Sequence, residues 1–138
     1  MTVAYKLPRH PEAFSLSPSK GKRRPRIKDD QYLRWLRTLP CVLTGSRPVE
    51  AAHVRFASPV YGKRETGKSE KPSDRWALPL SPDKHREQHG ENEVLFWLRH
   101  GVDPLQVCAA LWASEMDDEV AEIILAQARQ TASTMVKA

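Results

Sequence analysis

The sequence predicts a single α+β domain. Three observations lead there. Its 138 residues suffice for one modest core but not two. Two short extended segments, 50–56 and 76–80, are separated by a long polar loop, and most of the chain after residue 81 carries capped helical patterns. The organisation expected is a basic arm over 1–28, a main domain over 29–114, and a C-terminal helix over 115–138 that packs on the domain or extends from it.

The arm mixes Pro, Ser, Lys and Arg and closes on Lys20-Gly21-Lys22-Arg23-Arg24-Pro25-Arg26. It has no apolar period and reads as disordered. Asp30 is a good N-cap for a first helix carrying Tyr32, Leu33, Trp35, Leu36 and Leu39, which Pro40 ends. Residues 41–46 read as a short strand running into a turn at Gly45. A second strand at 50–56 carries Ala51, Ala52, His53 and Val54. Residues 57–73 form a polar loop with Lys63, Arg64, Lys68 and Lys71, and loops of that length in a compact domain are usually functional or mobile. The apolar segment 76–80 is extended. Ser81-Pro82-Asp83 then starts a helix, with Ser as N-cap, Pro at the first helical position and Asp in the first turn. That helix runs through His89 and stops at Gly90. Further helices are expected over 93–100, ending at Gly101, from Asp103-Pro104 onward, and over 117–135. In the last, Val120, Ile124 and Ala128 recur at i, i+4 and i+8, with Ile123 beside them on the apolar side.

Charge is unevenly distributed. Residues 1–28 hold eight Lys or Arg against one Glu, a net of +7, and residues 41–89 hold nine basic against six acidic residues, a net of +3. Residues 90–138 hold three basic against eight acidic residues, a net of −5. A basic front half suggests a polyanionic partner, with the arm gripping phosphates without reading sequence. No apolar run approaches a membrane span, and the basic N-terminus lacks the apolar stretch of a secretory signal, so a cytoplasmic location and no membrane partner are expected. Cys41 and Cys108 cannot make a disulfide framework or a four-cysteine zinc site, and read as small buried hydrophobes.

One constellation carries chemistry. A strand with His53 is followed by a basic loop, an extended segment and a capped helix with His85 and His89. The i, i+4 spacing puts both imidazoles on one helix face, where two can hold one metal ion. The zinc-peptidase pattern is excluded: it requires Glu directly after the first His, whereas Glu87 comes two residues after His85. Taken singly, these residues have plainer readings. His53 reads as a half-buried strand residue, Asp74 as a turn or cap residue, His100 as a helix-end cation, and the four Trp as core.

Ala51-Ala52-His53-Val54-Arg55 resembles the first strand of HNH (ββα-metal) nucleases. Lys71-Pro72-Ser73-Asp74-Arg75-Trp76-Ala77-Leu78-Pro79-Leu80 and Lys84-His85-Arg86-Glu87-Gln88-His89-Gly90 resemble their second strand and helix. The Lys-Pro-Ser-Asp-Arg-Trp block, with Trp97-Leu98-Arg99-His100-Gly101-Val102-Asp103-Pro104 and Leu111-Trp112, is similar to the phage and prophage family DUF968, related to the phage recombination-enhancing nuclease that works with a recombinase filament. The resemblance covers about residues 32–112. It implies a ββα-metal core with an N-terminal helix and C-terminal helices, a Mg²⁺- or Mn²⁺-dependent DNA endonuclease, and DNA and a bacterial recombinase filament as partners. It implies His53 as general base and His85 and His89 as metal ligands. Asp74 would anchor the loop, orient His53 or lend a carboxylate to the metal. Arg55 and Lys71 would contact phosphates, with Lys63, Arg64, Lys22, Arg23, Arg24 and Arg26 adding basic surface.

Two departures qualify this picture. Many relatives hold a structural zinc between two knuckles, but only Cys41 remains here, with Thr44, Ser81 and Lys84 at the partner positions. One thiolate cannot close a tetrahedral site, so no structural zinc is expected, and packing of Trp35, Leu43, Trp76, Leu80, Trp97 and Trp112 must hold the scaffold. Ala52 also stands where HNH proteins often have a metal-binding residue, leaving the ion with few protein ligands. These losses make a non-catalytic DNA-binding or recombination-accessory module the alternative. A phage interaction protein with an acidic docking helix is a second.

Overall fold

The computed structural model describes residues 26–64 and 71–137. Within them the protein is α+β, with five α-helices and a two-stranded antiparallel sheet. The order is α1 (Asp30–Leu36), β1 (Glu50–His53), a 3₁₀ turn (Pro59–Tyr61), a second 3₁₀ turn (Asp74–Trp76), β2 (Ala77–Leu80), α2 (Pro82–Gly90), α3 (Glu93–His100), α4 (Pro104–Ala113) and α5 (Asp118–Lys137). No helix among the described residues is long and apolar enough to cross a membrane.

Caps define the helices as their side chains require. Asp29, rather than Asp30, caps α1, its carboxylate accepting from the Tyr32 N–H at 3.0 Å. The Ser81 hydroxyl accepts from the Lys84 N–H, the Asn92 amide oxygen from Leu95, Asp103 from Leu105 and Gln106, and Asp117 from Val120. Gly101 closes α3 at φ 71°, a left-handed conformation that glycine adopts without strain. α1 ends at Leu36, before Pro40 is reached. The Thr38 and Leu39 N–H groups turn back to Trp35 and Leu36 in i→i+3 bonds that tighten the chain out of the helix.

The sheet pairs Glu50 with Leu80, Ala51 with Pro79, Ala52 with Leu78 and His53 with Ala77. β1 stops at His53 rather than continuing to Phe56, because the Arg55 N–H is taken by the Glu93 carboxylate at 3.0 and 3.3 Å. Residues 41–46 do not form the expected strand. Gly45, at φ 74°, turns the segment on itself, with Gly45 N–H to the Cys41 carbonyl at 2.8 Å and Cys41 N–H to the Ser46 carbonyl at 2.9 Å. The Cys41 thiol accepts from the Leu43 and Thr44 N–H groups, and such local bonds compete with a ladder. Only Val42 still bonds toward the sheet, donating to the Pro79 carbonyl.

Leu36, Leu78, Leu80, Phe96, Leu105, Leu111 and Leu125 form a continuous core on which the hairpin and the helices close. Trp76 and Trp97 are buried as expected, while Trp35, Leu43 and Trp112 are only partly covered. The α5 stripe is shifted from the expected one. Ala121, Leu125 and Ala132 are buried with Ile124 and Ala128 alongside, whereas Val120 and Ile123 face solvent. Small residues allow α5 to lie close on α4, and the sequence period alone does not distinguish neighbouring stripes. Leu125→Ala is therefore expected to cost about 2–5 kcal/mol in urea unfolding. Ile123→Ala is expected to stay within about 0.5 kcal/mol.

Candidate active site

The Asp74 carboxylate is fully buried and lies at the meeting point of three segments. Its Oδ1 is 2.9 Å from His53 Nε2 and 2.8 Å from Arg26 Nη2, and its Oδ2 accepts from the Asp29 N–H at 2.7 Å. Its own N–H donates to the Ile27 carbonyl at 2.8 Å. The His53 end of β1 is thus locked to the 3₁₀ turn that opens β2. Segment 26–28, assigned to the arm by composition, is bonded into the domain: Arg26 also donates to the Pro72 carbonyl and the Ile27 N–H to the Ser73 hydroxyl.

A carboxylate acceptor at Nε2 places the neutral imidazole's proton there and leaves the basic lone pair on Nδ1. Burial pushes His53 below the usual imidazole value, and the charges of Arg26 and Lys71 add to that; the Asp74 hydrogen bond and charge pull the other way. His53 is therefore neutral near pH 7. Burial on its own would raise Asp74, but the Asp29 N–H, the His53 hydrogen bond and the Arg26 charge outweigh it and hold the carboxyl below its ordinary range. Of the three roles anticipated for Asp74, its contacts support anchoring the loop and orienting His53.

His85 and His89 form the second pair. Their Nε2 atoms are 3.1 Å apart, and their rings are tilted at 44° with centroids 4.8 Å apart. His85 Nδ1 is 2.7 Å from Glu50 Oε1 at the start of β1. Gln88, buried between them in sequence, donates to the His53 carbonyl at 3.3 Å and to Glu93 at 2.6 Å. The helix bearing the His pair is thereby docked on the strand bearing His53. Among the described residues no three His, Cys, Asp or Glu side chains form a ready metal cage. Two ring nitrogens 3.1 Å apart could supply two ligands to a divalent cation, the rest coming from water or phosphate; imidazole donors suit transition-metal ions better than Mg²⁺.

At the knuckle positions the side chains are engaged in other contacts. The Thr44 hydroxyl is hydrogen-bonded to Ser46 at 2.6 Å, Ser81 caps α2, and the Lys84 ammonium pairs with Glu87 at 3.3 Å. Cys41 is held instead by backbone donors. Burial raises its thiol, but hydrogen bonds from Thr44, Ser81 and Leu43 outweigh that and lower it overall. Arg129, on α5, braces the same turn by donating to the Cys41 carbonyl at 2.9 Å. Cys108 is buried as expected.

The basic residues divide by location. Lys71 and Arg64 are exposed and Arg55 is half-buried. Lys63 is 4 % exposed and donates to the Arg55 carbonyl at 3.1 Å, so it belongs to the interior rather than to a phosphate-facing surface. Burial lowers its pKa, against the pull of Glu93. Arg26 is committed to Asp74. Lys22, Arg23 and Arg24 lie outside the described residues. Sequence reasoning missed Glu50, which bonds His85, and Gln88 and Glu93, which tie the end of β1 to α2 and α3. Glu50 alone carried a signal, three residues before His53 at the head of the strand.

The depressed Asp74 carboxyl sets a pH dependence. Between its folded value and about 3.9, the unfolded chain binds more protons, so stability rises with pH. The contribution is complete above that range and is lost as pH falls through the folded value. Asp74→Asn is expected to destabilise the protein on the order of 3 kcal/mol at pH 7, as breaking a buried pair does. That gap, measured by urea unfolding, is expected to narrow between pH 5 and pH 3; a constant gap contradicts the assignment.

A family model described as "Protein of unknown function (DUF968)" matches residues 7–117. No curated protein and no solved structure matches the chain. The matched span takes in His53, the buried Asp74 and the His85–His89 pair, and the chain belongs to the DUF968 family.

Proposed function

We propose that this protein is a divalent-metal-dependent DNA endonuclease of the HNH (ββα-metal) type, acting on intermediates of recombination or repair. The observation that carries the reading is the His53–Asp74 hydrogen bond at the end of a β-hairpin, followed directly by a helix presenting the His85–His89 pair. The strand–strand–helix order, the His order and the buried orienting carboxylate agree with the resemblance of residues 51–55, 71–80 and 84–90 to HNH nucleases.

His53 acts as general base. Asp74 holds the proton on Nε2, so Nδ1 takes a proton from water as that water attacks phosphorus. The imidazolium that forms is stabilised by the anionic Asp74, which stays ionised because three donors hold it so. The phosphorus–oxygen bond opposite the water breaks and the leaving oxygen takes a proton from solvent, so one fragment ends in a phosphate and the other in a hydroxyl, while His53 returns its proton to solvent. His85 and His89 would hold the cation, which would supply charge neutralisation at the phosphate and leaving oxygens. Lys71, whose charge acts on His53, would add a second positive charge for the same phosphate. Arg55 follows the base by two residues and is suited to pair with a neighbouring one. Arg26, the last residue of the basic run, is bonded to Asp74, and a run of this composition would add phosphate binding without sequence preference.

Supercoiled plasmid incubated with protein and Mg²⁺ or Mn²⁺ tests this reading. Wild type is expected to nick it, and His53→Ala to lose roughly 10²–10⁴-fold in rate. Activity is expected to fall as pH drops through the lowered His53 value, below about 6.5. Salt-sensitive DNA binding with no cleavage under any metal, unchanged by His85→Ala and His89→Ala, identifies an accessory module instead.

A further inference from the structure

We infer that Glu50 is a positioning residue that fixes the tautomer of His85 and so turns the His85 and His89 Nε2 atoms into one cation-binding pair. This rests on the metal-dependent reading above and assigns a role to a residue outside the His53–Asp74–His85–His89 set. Glu50 opens β1 and is paired with Leu80, the last residue of β2, while α2 begins at Pro82. The hairpin end and the helix start are therefore adjacent by connectivity, and Glu50 reaches across to His85 from a different element. The contact is 2.7 Å to Nδ1, with the His85 side chain 21 % exposed and that of Glu50 53 % exposed.

The chemistry follows from donor and acceptor roles. A carboxylate only accepts, so its partner nitrogen must carry the hydrogen. Neutral His85 is then the Nδ1–H tautomer, and its Nε2 lone pair accepts from His89 Nε2–H at 3.1 Å in the metal-free state; a cation in the gap requires only His89 to move its hydrogen to Nδ1. With Glu50 removed, His85 is also free to carry its hydrogen on Nε2, so both rings would have to change tautomer. A carboxylate on the far nitrogen also makes the ligating nitrogen more basic, and losing such a partner typically costs 10–100-fold in metal affinity. Glu50 itself joins no three-residue metal cage with His85 and His89 among the described residues, which fits a supporting rather than a ligating role.

Long-range ¹H–¹⁵N NMR of the metal-free full chain at neutral pH reads the His85 tautomer directly, and Mn²⁺ titration followed by water proton relaxation reads affinity. Wild type is expected to show His85 as Nδ1–H. Glu50→Ala is expected to shift it toward Nε2–H and to weaken Mn²⁺ about 10–100-fold, with His53 resonances unchanged. Glu50→Gln, whose amide oxygen still accepts, is expected to fall between. An unchanged tautomer and unchanged Mn²⁺ affinity in Glu50→Ala, alongside loss of Mn²⁺ in His85→Ala, overturns the role of Glu50 and leaves the nuclease reading standing. A wild type that shows the Nδ1–H tautomer yet binds neither Mn²⁺ nor Mg²⁺ overturns the cation pair and the metal-dependent reading with it.

Discussion

A carboxylate removed from water costs several kcal/mol unless each lone pair finds a donor, and Asp74 is removed completely. Its donors come from places far apart in sequence: the Arg26 guanidinium, the Asp29 backbone and the His53 ring. Satisfying that one charge therefore fixes three things together. It seats segment 26–29 at the head of α1, it closes the loop before β2, and it sets the orientation and tautomer of His53. Asp29 contributes twice, donating its N–H to Asp74 and capping α1 with its carboxylate. A polar hub of this kind is high-stakes because removing the Asp74 carboxylate takes away an acceptor shared by Arg26, Asp29 and His53.

The second polar chain runs through Gln88, Glu93, Arg55 and Lys63. Glu93 accepts from the Arg55 backbone and from Gln88, and Gln88 also holds the His53 carbonyl. Lys63 closes the cluster on the Arg55 carbonyl. The effect is to stop β1 just after His53 and to bolt α2 and the start of α3 against it. The His85–His89 pair is carried on the face of α2 that Glu50 approaches from the strand. For the reaction proposed above, these supporting bonds matter as much as the reacting groups, because small displacements cost large factors in rate. The Cys41 turn is held by hydrogen bonds to its thiol and by Arg129 from α5.

Local signals were legible in the sequence and distant ones were not. Ser81-Pro82, Asp103-Pro104 and Gly101 announced helix boundaries because capping is decided by a few adjacent residues. The His85–His89 contact was legible because i, i+4 geometry is intrinsic to a helix. Asp74 stood out only by resemblance. Its partners Arg26 and Asp29 sit 48 and 45 residues away, and no local pattern marks such a pairing. Lys63 read as surface because its residue type nearly always is, and only the tertiary fold draws it inward. The 41–46 turn read as a strand because Cys41, Val42 and Leu43 are apolar and extended-prone. Left-handed Gly45 and the thiol's bonds to the backbone decided otherwise.

We propose that one buried carboxylate and one strand–strand–helix unit bring together a base and a cation pair. Anomalous diffraction from crystals soaked in Mn²⁺ tests this. One manganese peak shared by His85 Nε2 and His89 Nε2 is expected, with Glu50 bonded to the far nitrogen of His85 and His53 still held by Asp74. A manganese peak away from that pair, or a His53 ring turned away from Asp74, would contradict it.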